Sequence, residues 1–445
     1  MSTATVAADL PDNQWRPRLR ELVAELTAEG ALRTPGWQAA FAAVPRHPFV
    51  PLIYRRDQHG DLRAIDGHDP AQRETWLTEV YSDDSLITQL AQVRPGYALR
   101  PFTVPASSST RPSLMARMLE DLELADNMRV LEVGTGTGYN AALLSHRLGP
   151  QHVHSVDIHP GLIATARNRL ADLGYHPRLG TVDGTAGWPD HAPYDRIIAT
   201  CSVPTIPIAW IDQVRPGGTI LSDLQLGRVS VLVRLHVDAD RTATGRFLNY
   251  PGLFMAARRS AERLSRLPEL TPDQLFGVRE TTTDLAPTAL ADPAFQFFLH
   301  LHLGTGRGDH YRSGDRDCAS VVADDGSWAE LITGDHLVRY DGTHNPWETV
   351  EQVHHRWNEL KRPEPADLGL TVTPTTQHIW HRTPHSTWTH SLISTSMGNI
   401  GWALTVSCEV GPSDTLSSLL PTQSGSGSPR ARKYGDPAVM RRGHP

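Results

Sequence analysis

The chain has 445 residues, of which 39% are hydrophobic and 20% are charged, and its formal net charge is −7. This length predicts two or three domains, and no apolar run approaches the roughly 20 residues of a membrane span. The acidic balance, without a dominant basic stripe, argues against nucleic acid as a main partner. We therefore expect a protein whose partners include neither nucleic acid nor membrane.

Cysteine usage and the N-terminus indicate the compartment. The three cysteines, Cys201, Cys318 and Cys408, are widely scattered. An odd number at such spacing argues against a disulfide framework and for a reducing environment. The first fifteen residues lack a basic segment followed by an apolar one, so no secretory signal is predicted. We expect a cytoplasmic protein.

Residues 1–80 are predicted to form a helical and lid-like segment. Apolar residues at helical spacing predict an amphipathic helix from Trp15 to Gly30, with the glycine in the left-handed conformation at its end. Prolines at 45, 48 and 51, followed by the polar stretch from Arg55 to Arg73, predict an irregular segment. That segment is a candidate active-site lid.

Residues 81–250 are predicted to form a doubly wound α/β domain. Between Met128 and Asp223, short apolar runs such as RVLEV, VHSVD and DRIIAT alternate with helical stretches. This alternation is typical of βαβ units, which build a parallel sheet covered by helices on both faces. The later run VSVLVRLHV predicts an added antiparallel strand.

Residues 251–390 are predicted to form a smaller α+β domain. Candidate helices are AARRSAERLSRL and PWETVEQVHHRWNELK, and candidate strands are GLTVTP and QHIWHR. We expect Trp347 and Trp357 to lie in the core of this domain. From 391 to 445 the chain is rich in Ser, Gly, Thr and Pro without apolar periodicity, which predicts a disordered tail.

The strongest chemical signal is VLEVGTGTGY, residues 130–139. Glycines let a backbone turn sharply and approach a ligand, and the following helix directs its positive end at the bound group. Asp157 closes the next predicted strand, where an acid can bind ribose hydroxyls. With acids at Glu132, Asp157 and Asp183, the pattern resembles the donor loop of class I S-adenosylmethionine-dependent methyltransferases. For Asp183, a turn-forming role in its Asp-Gly sequence is the alternative.

A run of hydroxyl residues at 107–110 is the second signal, and it stands directly before the amphipathic run LMARMLEDL. These hydroxyls are candidates to cap that helix, with Pro112 in its first turn. The other interpretation is a substrate loop, because the run precedes the glycine loop by one helix and would lie over the donor pocket.

Several segments in this order resemble the protein-L-isoaspartate O-methyltransferase family. The resemblance covers residues 44–224 and rests on VPRHPFVP, YSDDSLIT, SSTRPSLMARML, VLEVGTGTGYNAALLS, APYDRIIATCSVP and QVRPGGTIL. In that family the substrate loop normally carries a Ser two residues before Pro. The matching residue here is Thr110, and Arg111 replaces a small or amide residue.

The resemblance implies S-adenosyl-L-methionine as cofactor and assigns roles to the motif residues. Thr110 would orient the substrate carboxylate, with Ser109 as a neighbouring donor, and Arg111 would pair with a carboxylate of the substrate. A surface position is the alternative for Arg111. Glu132 and Asp157 would hold the amino-acid and ribose ends of the donor, and Asp183 its adenine. The implied cofactor-binding residues are Glu132, Gly134, Thr135, Gly136, Gly138, Asp157, Ile158, Asp183 and Gly184.

Two functions follow from this resemblance. The length after residue 224, the Thr-type loop and the region WETVEQVHHRWNELKRPEPADLGLTVTPTTQHIW resemble methyltransferases that modify ribosomally made peptides in lanthipeptide and ATP-grasp graspetide clusters. That implies methylation of an Asp side chain in a precursor peptide, cyclised beforehand or not, and then methanol loss to aspartimide or isoaspartate. The alternative is repair of isoaspartate in damaged proteins. A tRNA methyltransferase is disfavoured by the net charge, and an inactive donor-binding module by the intact donor-loop spacing.

We expect neither nucleophilic chemistry from Cys201 nor metal binding by the C-terminal histidines. Cys201 follows a predicted core strand without a nearby His in the sequence, so we expect a small buried hydrophobe. The spacing of His378, His381, His385 and His390 fits no familiar zinc pattern, and no metal site is predicted.

Overall fold

The computed structural model describes residues 10–93, 102–227, 229–258, 277–304, 306–332, 336–386 and 388–392. Within these ranges the N-terminal region combines helices with a four-stranded antiparallel sheet, ordered β2-β1-β3-β4. Its elements are α1 (Asp12–Ala28), α2 (Pro35–Ala43), β1 (Leu52–Arg56), β2 (Leu62–Asp66), α3 (Arg73–Val80), β3 (Leu86–Val93) and β4 (Phe102–Ser109). The predicted first helix is confirmed, and Gly30 beyond its end has φ of +72°.

The prediction of an irregular segment between Arg55 and Arg73 is wrong, because β1 and β2 form a hairpin there. Asp57 closes the turn by accepting hydrogen bonds from the backbone N–H groups of His59 and Asp61, at 2.9 and 3.1 Å. Most residues of both strands are half-buried or exposed. Their polarity therefore reflects solvent contact, which hid the strand pattern in the sequence.

A ten-stranded sheet forms the centre of the molecule, in the order β19-β18-β17-β11-β10-β9-β8-β5-β6-β7. Its parallel half confirms the predicted βαβ alternation, and every residue of β5 is buried, as expected for a sheet covered on both faces. The elements of this half are α4 (Pro112–Asp121), β5 (Val130–Val133), α5 (Tyr139–Leu148), β6 (Val153–Asp157), α6 (Pro160–Asp172), β7 (Arg178–Thr181), β8 (Tyr194–Val203), α7 (Ile208–Gln213) and β9 (Val214–Leu226).

Antiparallel strands extend the same sheet on its other side. They are β10 (Val229–Val237), β11 (Ala243–Phe247), β17 (Leu368–Val372), β18 (Gln377–His381) and β19 (Thr389–Ser391). The added strand predicted at VSVLVRLHV is confirmed as β10, and GLTVTP and QHIWHR are confirmed as β17 and β18. The central sheet thus continues across the boundary predicted at residue 250. The division into domains itself stays a prediction.

The remaining C-terminal elements form a second layer. A five-stranded sheet is ordered β12-β16-β15-β14-β13, and two helices accompany it. The elements are β12 (Arg279–Thr282), α8 (Pro293–Leu303), β13 (Arg307–Ser313), β14 (Arg316–Val322), β15 (Trp328–Ile332), β16 (Leu337–Asp341) and α9 (Pro346–Glu359). Helix α9 confirms the prediction at PWETVEQVHHRWNELK. Most of the helix predicted at 256–267, and residues 393–445 of the predicted tail, lie outside the described residues.

One hydrophobic core joins the central sheet to this second layer. Trp347 and Trp357 are 1% and 4% exposed, which confirms their predicted core position. The same cluster of buried side chains contains Ile197 of β8 and Phe295 of α8. Truncating a buried aromatic side chain lowers the free energy of unfolding by about 3 to 5 kcal/mol. Because both layers contribute side chains to this core, each layer stabilises the other. In the described ranges, no helix has both the length and the apolarity to cross a membrane.

Candidate active site

A cleft opens at the carboxyl ends of β5 and β8. The strands that follow β5 proceed to one side of the sheet, as β6 and β7, whereas β9 lies on the other side of β8. The loops after β5 and β8 therefore diverge, which is where open α/β sheets bind ligands. The cleft is lined by residues 106–110, Met115, residues 132–137, Tyr139, Asn140, residues 156–158, Leu162, Gly184, Thr185, Thr200, Cys201 and residues 254–258.

The glycine loop after β5 requires its glycines for two different reasons. Gly134 has φ of +107°, and a Cβ there would lie 2.7 Å from Thr200 Oγ1. Both the left-handed backbone and the lack of space therefore select glycine. Gly138 has φ of +92° and caps α5, and a Cβ there would lie 3.0 Å from the Cβ of Ala166. Gly138 is outside the cleft lining, so its visible role is helix packing rather than ligand contact.

Glu132 lies fully buried beneath this loop. Its carboxylate accepts hydrogen bonds from Asn140 Nδ2 at 2.7 Å and from Ser155 Oγ at 2.5 Å. Ser155 Oγ also lies 2.6 Å from Thr135 Oγ1, so the network reaches the loop itself. Burial raises the pKa of Glu132 to about 7, because the charged carboxylate loses its hydration. Glu132 and Thr135 both line the cleft.

Asp157 stands opposite Glu132 at the end of β6. One carboxylate oxygen accepts the backbone N–H of Gly136 at 3.0 Å, and the other accepts that of His159 at 2.9 Å. The carboxylate thereby fixes the turn of the glycine loop relative to β6. Asp157 and its neighbour Ile158 both line the cleft, as the sequence predicted.

Asp183 has a local structural role. Its Oδ1 accepts hydrogen bonds from the backbone N–H and the hydroxyl of Thr185, at 2.9 and 2.7 Å. It caps a short 3-10 turn, which is the turn-forming alternative raised by the sequence. Gly184 and Thr185 line the cleft, whereas Asp183 is outside the lining. A Cβ on Gly184 would lie 2.4 Å from Val133 Cγ1, so the close approach of this turn to β5 needs glycine.

The hydroxyl run is divided between a strand and a short connection. Ser107 to Ser109 end β4, which corrects the expectation of a loop, and Thr110 follows in the connection to α4. Pro112 occupies the first turn of α4 as predicted, but Asp83 supplies the cap, since its Oδ1 accepts the N–H of Ser113 at 2.7 Å. Ser109 and Thr110 are left to face the cleft.

Arg46 fixes the backbone at this point. Its buried guanidinium donates to the carbonyls of Ser109 and Thr110, at 3.2 and 2.9 Å, and to that of Val80 at 3.0 Å. Burial lowers the pKa of Arg46 to about 10, which leaves the group charged at neutral pH. The segment VPRHPFVP contributes to the family resemblance, but no pattern in the sequence indicates a role for its arginine. A buried cation holding these carbonyls makes Arg46 a positioning residue for Ser109 and Thr110.

Arg111 lies on the surface beside Asp83. Its side chain is 51% exposed, and its Nε lies 3.5 Å from Asp83 Oδ2 and donates to the Asp83 carbonyl at 3.2 Å. It is absent from the cleft lining, because the pairing with Asp83 directs it along the surface. The structure thus places Arg111 at the surface, which is the alternative that the sequence raised, and its catalytic role stays a prediction.

Residues 254–258 form a wall of the cleft that the sequence did not reveal. Ser202 at the end of β8 exchanges hydrogen bonds with this segment, its N–H with the Met255 carbonyl at 3.0 Å and its carbonyl with the Ala257 N–H at 2.7 Å. Asp223 accepts the N–H of Phe254 at 3.2 Å, and burial raises the pKa of Asp223 to about 7. The run LFMAAR carries no recognisable motif, so only the fold identifies it.

Cys201 also lines the cleft, with its Sγ 3.7 Å from the carbonyl of Val133. Burial is the main reason that the pKa of its thiol is raised to about 12, which keeps the thiol neutral. A neutral thiol is a weak nucleophile, consistent with the packing role expected for it. Among the described residues, no group of three or more His, Cys, Asp or Glu side chains is placed to hold a metal ion.

Comparison with known proteins shows which family this chain resembles. The family model described as protein-L-isoaspartate(D-aspartate) O-methyltransferase matches residues 72–248. The chain is 31% identical over 237 residues to the protein-L-isoaspartate O-methyltransferase of Hyperthermus butylicus, covering 50% of this chain and 83% of that protein. For the enzyme of the same name from Ignicoccus hospitalis, identity is 34% over 204 residues, covering 45% and 79%. A solved protein-L-isoaspartate O-methyltransferase structure shares 22% identity with a TM-score of 0.48, covering 82% of this chain and all of that one.

Proposed function

Because this chain belongs to the protein-L-isoaspartate O-methyltransferase family, we propose that it methylates the free carboxylate of isoaspartyl residues in peptides and proteins. It has the class I methyltransferase fold and is an S-adenosyl-L-methionine-dependent carboxyl methyltransferase of protein and peptide substrates. The observation that best supports the proposal is that a single cleft contains two distinct surfaces. Residues 132–136, Asp157 and residues 184–185 form what we term the donor end, and residues 106–110 with 254–258 the acceptor end.

The donor end fits S-adenosyl-L-methionine, which when bound supplies an electrophilic methyl group. Gly134 and Gly136 keep the backbone free of side chains where a ligand would approach, and the N-terminus of α5 lies just beyond them. The carboxylate of Asp157 is held in place to accept ribose hydroxyls. We assign the adenine to residues 184–185 rather than to the side chain of Asp183, which is engaged by Thr185.

At the acceptor end, the reaction requires positioning. A carboxylate is already ionised near neutral pH, so the substrate oxygen needs no strong base to attack the methyl group. The Thr110 hydroxyl would donate to the carboxylate oxygen that does not attack, with Ser109 beside it and Arg46 fixing both backbones. Correct orientation supplies several kcal/mol, up to about 7 to 11 in well-oriented model systems.

A second candidate function is supported by the C-terminal part of the chain. Strands β17 to β19 complete the central sheet, and residues 254–258, beyond the family match at 72–248, line the cleft. Such additions favour a substrate that makes contacts beyond one isoaspartyl residue. The candidate is methylation of an Asp side chain in a ribosomally made precursor peptide. The following backbone amide nitrogen then attacks the ester carbonyl and expels methanol, which gives an aspartimide.

Mass spectrometry of two matched synthetic peptides separates these functions. One contains isoaspartate and the other aspartate at the same position, and each is incubated with the protein and S-adenosyl-L-methionine. Repair predicts methyl gain on the isoaspartyl peptide alone. Methyl gain followed by methanol loss on the aspartyl peptide would support the tailoring function. The Gly134→Ala variant serves as the control with weakened donor binding. Methyl transfer by the wild-type protein to neither peptide would contradict both functions.

A further inference from the structure

A positive charge from outside the family match stands on the acceptor end of the cleft. Arg258 lines the cleft, is half-buried, and its Nη2 donates to the carbonyl of Ala106 on β4 at 3.1 Å. Within the described ranges, no carboxylate forms an ion pair with Arg258. Arg111, by contrast, is paired with Asp83 on the surface. Among the residues that the structure describes, Arg258 is therefore the arginine that lines this cleft.

Hydrogen bonds with Asp223 and Ser202 fix the backbone segment that precedes Arg258. Asp223 accepts the N–H of Phe254, and a Cβ on Gly252 would lie 2.5 Å from the carboxyl carbon of Asp223. Both hydrogen bonds of Ser202 then fix Met255 and Ala257. A charge on a fixed, partly shielded segment pairs with a carboxylate more strongly than a charge on a mobile surface side chain.

Strand β4 sets the distance between Arg258 and the methyl acceptor. The guanidinium is bonded at Ala106, four positions before Thr110 in the chain. At a rise of about 3.3 Å per residue, four positions of extended strand span about 13 Å, and the bulge near Ser107 makes this distance somewhat shorter. One substrate carboxylate therefore cannot contact both Thr110 and Arg258. Two carboxylates on an extended peptide, about three or four positions apart, can.

The position of β4 at the edge of its sheet suits such a peptide. Strand β4 is the outer strand of its four-stranded sheet, and no described strand pairs with its other edge. An extended peptide along this edge would advance by the same rise per residue as β4 itself. Its register would then be fixed at one end by the Thr110 hydroxyl and at the other by the Arg258 charge.

From this spacing we infer that Arg258 is a specificity residue that selects peptides carrying an acidic side chain about three or four positions from the methylated residue. The inference rests on the proposed carboxyl methylation for its placement of the acceptor at Thr110. It assigns the acidic side chain to Arg258 in spite of the net charge of −7, because the local charge at the cleft decides the contact.

The test uses short fluorescein-labelled peptides of Gly, Ser and Ala that contain one isoaspartate. One peptide has Asp about four positions before it, a second has Asp about four positions after it, and matched peptides have Asn instead. Dissociation constants are measured by anisotropy with the full chain saturated with S-adenosylhomocysteine, and kcat/KM is measured with S-adenosyl-L-methionine. We expect the wild-type protein to prefer one Asp peptide over its Asn partner about tenfold in both measurements.

The preference ratio identifies the role of Arg258. In Arg258→Gln, which retains a hydrogen-bond donor for Ala106, the Asp-to-Asn ratio should fall to about one, and Arg258→Lys should retain part of it. The control Arg312→Gln removes an exposed arginine from β13 and should leave the ratio unchanged. If Arg258→Gln weakened binding and methylation of the Asp and Asn peptides equally, Arg258 would have only a structural role through its hydrogen bond to Ala106. That result would overturn the inference.

Failure of this inference is distinguishable from failure of the proposed function. Methylation of Asp and Asn peptides with equal kcat/KM by the wild-type protein would overturn the specificity role and leave carboxyl methylation intact. Preferential binding without methyl transfer would support Arg258 and contradict the proposed function. Absence of measurable binding to either Asp peptide would also overturn the inference.

Discussion

The donor end of the cleft comes mainly from the loop after β5, with contributions from the end of β6 and the turn after β7. The acceptor end is assembled from segments that are farther apart in the sequence. Residues 132–136 and Asp157 are joined by short-range hydrogen bonds. Residues 106–110 depend on Arg46 from one side and on Arg258 from the other. The geometry of the donor end thus depends mainly on contacts within and next to its own loop, whereas that of the acceptor end depends on contacts between distant segments. We therefore expect the two ends to respond differently to substitution.

The largest effect is expected from Gly134→Ala at the donor end. The new Cβ would meet Thr200 Oγ1 at 2.7 Å in a left-handed backbone, so the loop must shift. Affinity for S-adenosylhomocysteine, measured by calorimetry, should fall about 100-fold, a cost of roughly 3 kcal/mol. Gly174→Ala is the matched control, because Gly174 has φ of +78° but open space around a Cβ. Equal loss of affinity in both variants would contradict the donor-end assignment.

Arg46→Lys should reveal the long-range support of the acceptor end. Lysine has one charged group and cannot reach the carbonyls of Val80, Ser109 and Thr110 together. We expect kcat for the isoaspartyl peptide to fall about 30-fold, with stability lowered by about 2 kcal/mol. Donor affinity should remain within about twofold of wild type, and an equal loss of donor affinity would show that the two ends are not independent.

Thr110→Val tests the hydroxyl itself. Valine has nearly the shape of threonine, so loss of the substrate hydrogen bond should dominate, and kcat/KM should fall about tenfold. Thr110→Ser should retain most of the activity. Arg111→Gln provides the neighbouring control, because Arg111 points along the surface and pairs with Asp83. A larger loss in Arg111→Gln than in Thr110→Val would return the catalytic assignment to Arg111.

A smaller effect is expected in the pH dependence of stability. Burial raises the pKa of Asp223 to about 7 from 3.8, so the folded state retains a proton that the unfolded state releases. The contribution of this group to the free energy of unfolding is therefore full below pH 3.8 and is lost as pH rises towards about 7. The free energy of unfolding is measured by chemical denaturation at about pH 5 and at about pH 7.5. Between these two pH values, Asp223→Asn should lose less stability than wild type, by on the order of 1 kcal/mol. Parallel pH profiles would contradict this.

The sequence predicted the elements whose signals are local. The βαβ alternation, the helix at residues 346–359 and the glycine loop each depend on a short window, and all three are present. The hairpin at residues 52–66 was missed because its half-exposed strands carry polar residues on both faces. The pairing of β17 with β11 was missed because register between strands that are distant in the sequence leaves no local pattern.

The same distinction applies to the site. Glu132, Gly134 and Asp157 were predicted from their spacing together with the family resemblance, and they line the cleft. Arg111 was assigned from its neighbours in the sequence, and the pairing with Asp83 removes it from the cleft. Arg258 carries no motif, and its position depends on hydrogen bonds to Ser202 and Asp223 from the segment before it. The sequence therefore indicated the donor end together with Ser109 and Thr110, whereas Arg46 and residues 254–258 were identified only from the folded chain.

The most direct test of carboxyl methylation is tandem mass spectrometry that localises the transferred methyl group. The isoaspartyl peptide is incubated with S-adenosyl-L-methionine and the wild-type protein, and the product is fragmented. We predict a methyl ester on the free carboxylate of the isoaspartyl residue, with much less product in Thr110→Val. A methyl group on any nitrogen, on another side chain, or on no residue of the peptide would contradict it.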